Sequence, residues 1–164
     1  MHLQHAKLIK AMIHYESGNP ARIQHFLKVH ELAALIGTLE GLDEHTQFIL
    51  ETTAILHDIG IPVSIAKYGS YTWKTQESEG PAEAEKLMIE SGNFSQEVIQ
   101  RVKYLIAHHH TYNNISGMDY QILLEADILV NLSESVSKNY KALTHVFRTQ
   151  TGKSFLHDMY HVNL

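Results

Sequence analysis

Four separated segments of the 164-residue chain carry imidazole and carboxylate groups in settings that suit chemistry. His25 stands four residues before Val29, seven before Leu32 and eleven before Ile36, so it lies on the apolar stripe of a helix and faces inward. In the segment Ile55-Leu56-His57-Asp58-Ile59-Gly60, an imidazole and a carboxylate sit side by side at the end of an apolar helix. Neighbours on a helix point about 100° apart, so both reach one point only if it lies near the helix end. The run His108-His109-His110 closes another apolar helix, and His108 and His109 follow its inward face more closely than His110. Asp127 has apolar neighbours on both sides and is expected to be buried, where an unpaired carboxylate costs several kcal/mol or takes up a proton. Each segment has a plainer reading: a core histidine with one partner, a helix cap, a polar helix terminus, a carboxylate paired with arginine or histidine. Together, two or three histidines and two carboxylates form a ligand set for a divalent cation. Imidazole suits Zn, Fe, Ni, Co and Mn, and carboxylate extends the range to Mn and Mg.

The elements that must position these groups are helices. Apolar spacing of three and four residues predicts helices over about 3–15, 21–39, 43–57, 81–91, 95–109 and 118–137, with two short ones around Gly152 in the tail. Asn19-Pro20 reads as a start signal, Asp43 as an N-cap, and Gly60-Ile61-Pro62 as a stop. Residues 66–77 show no clear period and read as the longest irregular stretch. No segment alternates with a period of two. The expectation is an all-α bundle of six to eight helices, one domain over residues 1–164. Its motif-bearing core covers about 20–135, and a helical extension covers about 138–164.

Composition narrows the function classes. With 13 Lys and Arg against 18 Asp and Glu, the chain lacks the positive field needed to grip a nucleic-acid polymer. There is no cysteine, hence no disulfide, no thiolate zinc site and no thiol nucleophile. Nothing at the N-terminus reads as a signal peptide, and no apolar run reaches the roughly 20 residues of a membrane span. A cytoplasmic protein without a membrane partner is expected.

The order of these groups, with His25 followed by Val29 and Ala33, then Ala54-Ile55-Leu56-His57-Asp58-Ile59-Gly60, then Glu125-Ala126-Asp127, resembles the HD-domain superfamily of metal-dependent phosphohydrolases over about residues 20–135. The resemblance implies an all-α fold and one divalent ion (Mn, Co, Ni, Zn, Fe or Mg) held by His25, His57, Asp58 and Asp127. Members acting through two metals carry a further histidine before a Gly-Ala or Gly-Pro step. Here Gly80-Pro81 is present, but Gln76 stands where that histidine would be, which favours one metal. Glu77 or Glu79, if turned inward, would restore a second.

The chemistry implied is hydrolysis of a phosphoester, of a nucleotide or another small molecule, by a metal-activated water. Asp58 serves as ligand and general base, and His108 or His109 orients water or phosphate and holds a proton near the leaving oxygen. Arg22, Lys67 and Lys74 are the candidate phosphate-binding cations, each with a plain surface-charge reading beside it. Tyr68, Tyr71 and Trp73 could stack a base, though Trp73 reads better as core. The alternative is a non-catalytic module that binds a nucleotide or metal as a sensor; a third reading is a helical interaction domain without metal. Phe147, Phe155, Leu156 and Tyr160 are expected to pack on the core or on a second subunit, which leaves a homodimer open. The eight histidines at 2, 5, 14, 30, 45, 145, 157 and 161 are assigned to polar surface or core filling.

Overall fold

A computed structural model describes residues 1–135 and 140–163. Every regular element among them is helical. Eight helices of nine residues or more run through the described residues: α1 (Leu3–Tyr15), α2 (Pro20–Leu39), α3 (Glu44–Leu56), α4 (Gly60–Tyr68), α5 (Trp73–Ser91), α6 (Gln96–Ile106), α7 (Met118–Glu134) and, near the C-terminus, α9 (Gln150–Tyr160). A four-residue helix, α8 (Tyr140–Leu143), and a short 3-10 turn precede α9. The part of the helix expected at 136–137, and the start of the extension at 138, lie outside the described residues.

Helices α2 and α3 begin where local chemistry dictates. Asn19 accepts a hydrogen bond from the Arg22 amide, with Pro20 following it, and Asp43 accepts from the Thr46 amide at 3.0 Å. A short turn joins α2 to α3, and the two pack against each other along their length. The carboxylate-bearing helix α7 lies across both, buried from Asp119 to Leu132 apart from Asn131. One apolar cluster runs from Leu8 in α1 through Ile36, Leu56, Ile106 and Leu129 to Leu156 in α9.

Residues 60–80 depart from expectation. Gly60-Ile61-Pro62 ends one helix and also starts the next: Pro62 falls in the first turn of α4, where its missing N–H is not needed. Residues 66–77 are not a loop, since only 69–72 separate α4 from α5. The inward face of α5 is Gln76, Gly80, Ala84, Leu87 and Met88, so its first half offers polar and small residues in place of an apolar stripe. The smallness has a steric cause. A Cβ on Gly60 would lie 2.7 Å from the Gln76 carbonyl oxygen and 2.8 Å from the Gly80 nitrogen, and one on Gly80 would lie 2.8 Å from Ile106. Helices α4 and α5 therefore meet backbone to backbone. Trp73 is not core: it is 52% exposed at the start of α5, with the Lys74 ammonium 5.2 Å from its ring.

The stretch Glu44–Tyr68 contains an 18-residue window that is, by length and composition, apolar enough to cross a membrane, with a mean hydropathy of 1.4. It is broken at 57–59 into α3 and α4, and 67% of its most apolar window is buried inside the protein, as suits core helices.

Glu125 ties the C-terminal part to α7. Its buried carboxylate accepts from Gln121 at 2.6 Å, from the Arg148 and Thr149 amides at 2.7 and 3.0 Å, and from the Thr149 hydroxyl. It thus sits at the positive end of α9. Gly152 is in the first turn of α9, against that carboxylate, and does not divide two helices. Phe147 and Leu156 are buried on the core, with Phe155 and Tyr160 packed beside them.

Gly60→Ala is expected to destabilise the fold by about 1–3 kcal/mol in denaturant unfolding, because backbone must move to admit the methyl. Gly92→Ala, whose Cβ would meet only side-chain atoms at 3.8 and 3.9 Å, is expected to stay within about 0.5 kcal/mol.

Candidate metal centre

Three helices deliver four ligand atoms to one point. His25 projects from the second turn of α2, His57 and Asp58 follow the last residue of α3, and Asp127 projects from the middle of α7. His25 Nε2 lies 3.1 Å from His57 Nε2, 3.5 Å from Asp58 Oδ2 and 3.3 Å from Asp127 Oδ1. His57 Nε2 lies 3.6 and 3.5 Å from the same two oxygens. Ligands about 2.0–2.2 Å from one ion stand about 3.3–3.6 Å apart in a tetrahedron and about 2.8–3.1 Å apart at adjacent octahedral positions. The observed spacings fall across those two ranges, so the residues present fit a divalent ion.

The hydrogen bonds behind the ligands point the same way. His57 Nδ1 is 2.9 Å from the Ala54 carbonyl, His109 Nδ1 is 2.7 Å from the Ile106 carbonyl, and His25 Nδ1 is 2.8 Å from Glu134 Oε2. Each acceptor requires the proton on Nδ1, which aims the Nε2 lone pair inward, as metal-binding imidazoles are held. Asn131 donates to Asp127 Oδ1 at 2.9 Å. Asp58 divides its oxygens: Oδ2 faces His25 and His57, while Oδ1 is 3.1 Å from His109 Nε2.

The charges interact strongly. Burial acts to raise the pKa of Asp127, but His25 and His57 outweigh it and hold the carboxylate well below its usual range. Asp58 is likewise brought down to about 2, with His57 and His109 overcoming burial. Burial acts against charge on His25, yet Asp127, Asp58 and Glu134 together raise its pKa to about 9. His109 is raised by Asp58 against the same burial. His110, desolvated and beside His109, is lowered to about 4.

His25, His57, Asp58, Asp127 and His109 are therefore brought together, and His108 is not. Its Nδ1 is 2.7 Å from the Tyr104 carbonyl and its ring packs against Tyr104. The difference arises because α6 ends at Ile106 and residues 107–110 form turns, so helical phase no longer decides which histidine points inward. Arg22 donates to Glu16 at 2.6 Å and borders the same cavity as His25 and Asp58. Lys67 pairs with Glu79 at 2.6 Å, and Lys74 lies over Trp73; neither borders that cavity. Glu79 is turned outward to Lys67 and Tyr68, and Glu77 accepts from the His110 amide. Gln76 is buried with its amide oxygen 2.9 Å from His110 Nε2. Asp58, His109 and His110 form a second group whose ligand atoms lie within 4.8 Å of one another.

Glu134 and Asn131 are the site residues that sequence reasoning missed. Their signal is phase: they stand seven and four residues after Asp127, on the same face of α7. The cavity over the centre measures about 310 Å³ and is bordered by Arg22, His25, Asp58, Tyr71, Asn131 and Glu134. A larger hollow of about 650 Å³ lies at the opposite end of α3, among Asp43, His45, Arg101 and Asp119; none of the converging groups borders it.

A family model described as the HD domain matches residues 22–140, which contain all four converging residues. The fold also resembles the crystal structure, at 1.45 Å resolution, of a predicted HD superfamily hydrolase from an uncultured Thermotogales bacterium. The TM-score is 0.70 and the identity 23%, over 95% of this chain and 84% of that one. No curated protein sequence gave a match. The ordered His25, His57-Asp58 and Asp127 set, converging from three helices within the matched region, places the chain in the HD-domain family.

Proposed function

We propose that the protein is a metal-dependent phosphohydrolase acting on a small phosphoester, and that His25, His57, Asp58 and Asp127 hold its ion. The observation that carries this reading is the convergence of two Nε2 atoms and two carboxylate oxygens beside a small cavity bordered by an arginine. A divalent ion in that position lowers the pKa of a water and polarises a phosphoryl oxygen.

The remaining work falls to side chains. Asp58 accepts a proton from the attacking water. His109, whose pKa Asp58 raises, takes up a second proton at Nε2, 3.1 Å from Asp58, and as imidazolium donates it to the leaving oxygen. Arg22, whose Nε is held by Glu16, presents the rest of its guanidinium to the cavity, where it fixes the phosphate. Glu134 keeps His25 in the correct tautomer. Tyr71, 49% exposed at the cavity wall, offers a ring face to the organic part of the substrate, including a nucleobase. A cavity of about 310 Å³ admits a phosphate and its immediate substituent, with the rest of the substrate lying outside.

Metal analysis of the purified protein is expected to find a transition or Mg ion. Turnover of p-nitrophenyl phosphate, its bis ester and nucleotides is expected with added Mn, Co, Ni or Mg. His57→Ala and Asp127→Ala should lose that metal and at least about 100-fold in kcat/KM. Arg22→Ala should act mainly through KM. Full metal content and full turnover in either ligand variant would refute the centre; bound metal without turnover of any phosphoester would favour a sensing module.

The pH dependence of the metal-free protein follows from His25. Its pKa rises from 6.5 to about 9 on folding, so its proton stabilises the fold fully below about 6.5, and that contribution is lost as pH climbs through about 9. Thermal unfolding of chelator-stripped protein is therefore expected to show Tm falling across that window, with a smaller fall once metal replaces the proton. A flat Tm for the stripped protein would contradict the arrangement.

A further inference from the structure

One group outside this centre has the chemistry of a second one. His5 from α1, His30 from α2 and Glu51 from α3 place one ligand atom each within 4.8 Å of one another. His5 is fully buried and His30 is 6% exposed. His5 Nδ1 lies 3.2 Å from Glu51 Oε2, and His30 Nε2 lies 3.4 Å from the same oxygen. Both nitrogens are buried without a hydrogen-bond partner, because neither aims along the line to that oxygen.

The surrounding bonds settle where His5 carries its proton. Thr52 has one hydroxyl proton and donates it to the Phe48 carbonyl at 2.7 Å. Its oxygen must then accept from His5 Nε2, 2.9 Å away. Neutral His5 is thereby left with a bare Nδ1 lone pair turned toward a carboxylate. Glu51 Oε1 accepts from Gln47 at 2.7 Å, so Oε2 is the oxygen left for both imidazoles. A bare lone pair on His5, the unpartnered Nε2 of His30 and an anionic oxygen crowded together in a buried pocket call for a cation between them. The spacings of 3.2 and 3.4 Å match the edges of a tetrahedron with ligands about 2.0 Å from its centre.

We propose that His5, His30 and Glu51 form a second divalent-metal site, of zinc type, with a water in the fourth position. It is distinct from the first centre. Residues 30 and 51 stand five and six positions from His25 and His57 on the same two helices, roughly 7–9 Å along them. None of its three residues borders the cavity over the first centre, and a bound ion there clamps α1, which rests mainly on α3 and α5, to α2 as well. The role is structural.

Crystals of the full chain soaked in Zn²⁺ alone, with anomalous data collected at the zinc edge, test this by location. A peak bounded by His5, His30 and Glu51 is expected, resolved from any peak at His25 and His57. In solution, the paired variant His30→Gln/Glu51→Gln should lose one zinc equivalent while keeping the ion at the first centre. His25→Ala/Asp127→Ala should retain one equivalent. The absence of a peak from wild-type crystals at saturating zinc, or an unchanged stoichiometry in the paired variant, would overturn the proposal and assign protons to the cluster. Because the diffraction measurement uses the unaltered protein, a variant that fails to fold leaves the test intact. Loss of the first peak alone would count against the catalytic reading and not against this one.

Discussion

Two ionised carboxylates, each with an oxygen about 3.3–3.6 Å from the same two imidazole nitrogens and largely out of water, constitute a standing electrostatic demand. Asp58 and Asp127 repel each other, and desolvation opposes the charge on both. Only a cation at the point they share makes the arrangement favourable. A proton on His25 supplies part of that charge in the metal-free chain, and a divalent ion supplies more of it with a geometry the ligand spacings already match. On the proposed reading the two cations would compete for the same atom, so metal binding and protonation of His25 would be one equilibrium seen from two sides.

The helix arrangement serves that demand. A helix cannot send adjacent side chains to one place from its middle, so His57 and Asp58 act from the turn that follows α3. Gly60 opens α4 directly behind this turn, and the absence of a side chain there lets α5 approach backbone to backbone. The close approach sets Gln76 on the inner face of α5, against the His109-His110 corner. A methyl at Gly60 would therefore press on the turn that carries two of the ligands as well as on a packing contact.

What could be read from the chain divides along physical lines. Helices α1, α2 and α3 were legible almost to the residue, because apolar spacing marks all three and capping chemistry agrees with it in α2 and α3. The convergence of His25, His57, Asp58 and Asp127 was legible because their motifs have apolar lead-ins and a fixed order. The first half of α5 was not, since close backbone packing replaces apolar residues with Gln76, Gly80 and Ala84 and erases the period. His109 could not be separated from His108 because the helix stops before either. His5 and His30 read as filler, since three residues on three helices share no spacing; only packing brings them together.

Burial of a charged residue does not by itself identify function, and α7 shows why within a single turn. Glu125 and Asp127 are two residues apart, both acidic and both buried. Glu125 is met by two backbone amides, a hydroxyl and an amide side chain at the start of α9, so its charge is fully answered by donors and it acts as a fastening. Asp127 is met by one amide donor and by the Nε2 atoms of two imidazoles whose Nδ1 protons are committed elsewhere, so only an added proton or another cation on Nε2 answers its charge. Its surroundings leave a cation-sized requirement that protein donors do not meet. The distinction lies in the hydrogen-bond inventory around each carboxylate, and the same inventory separates the His5, His30 and Glu51 group from an ordinary buried ion pair.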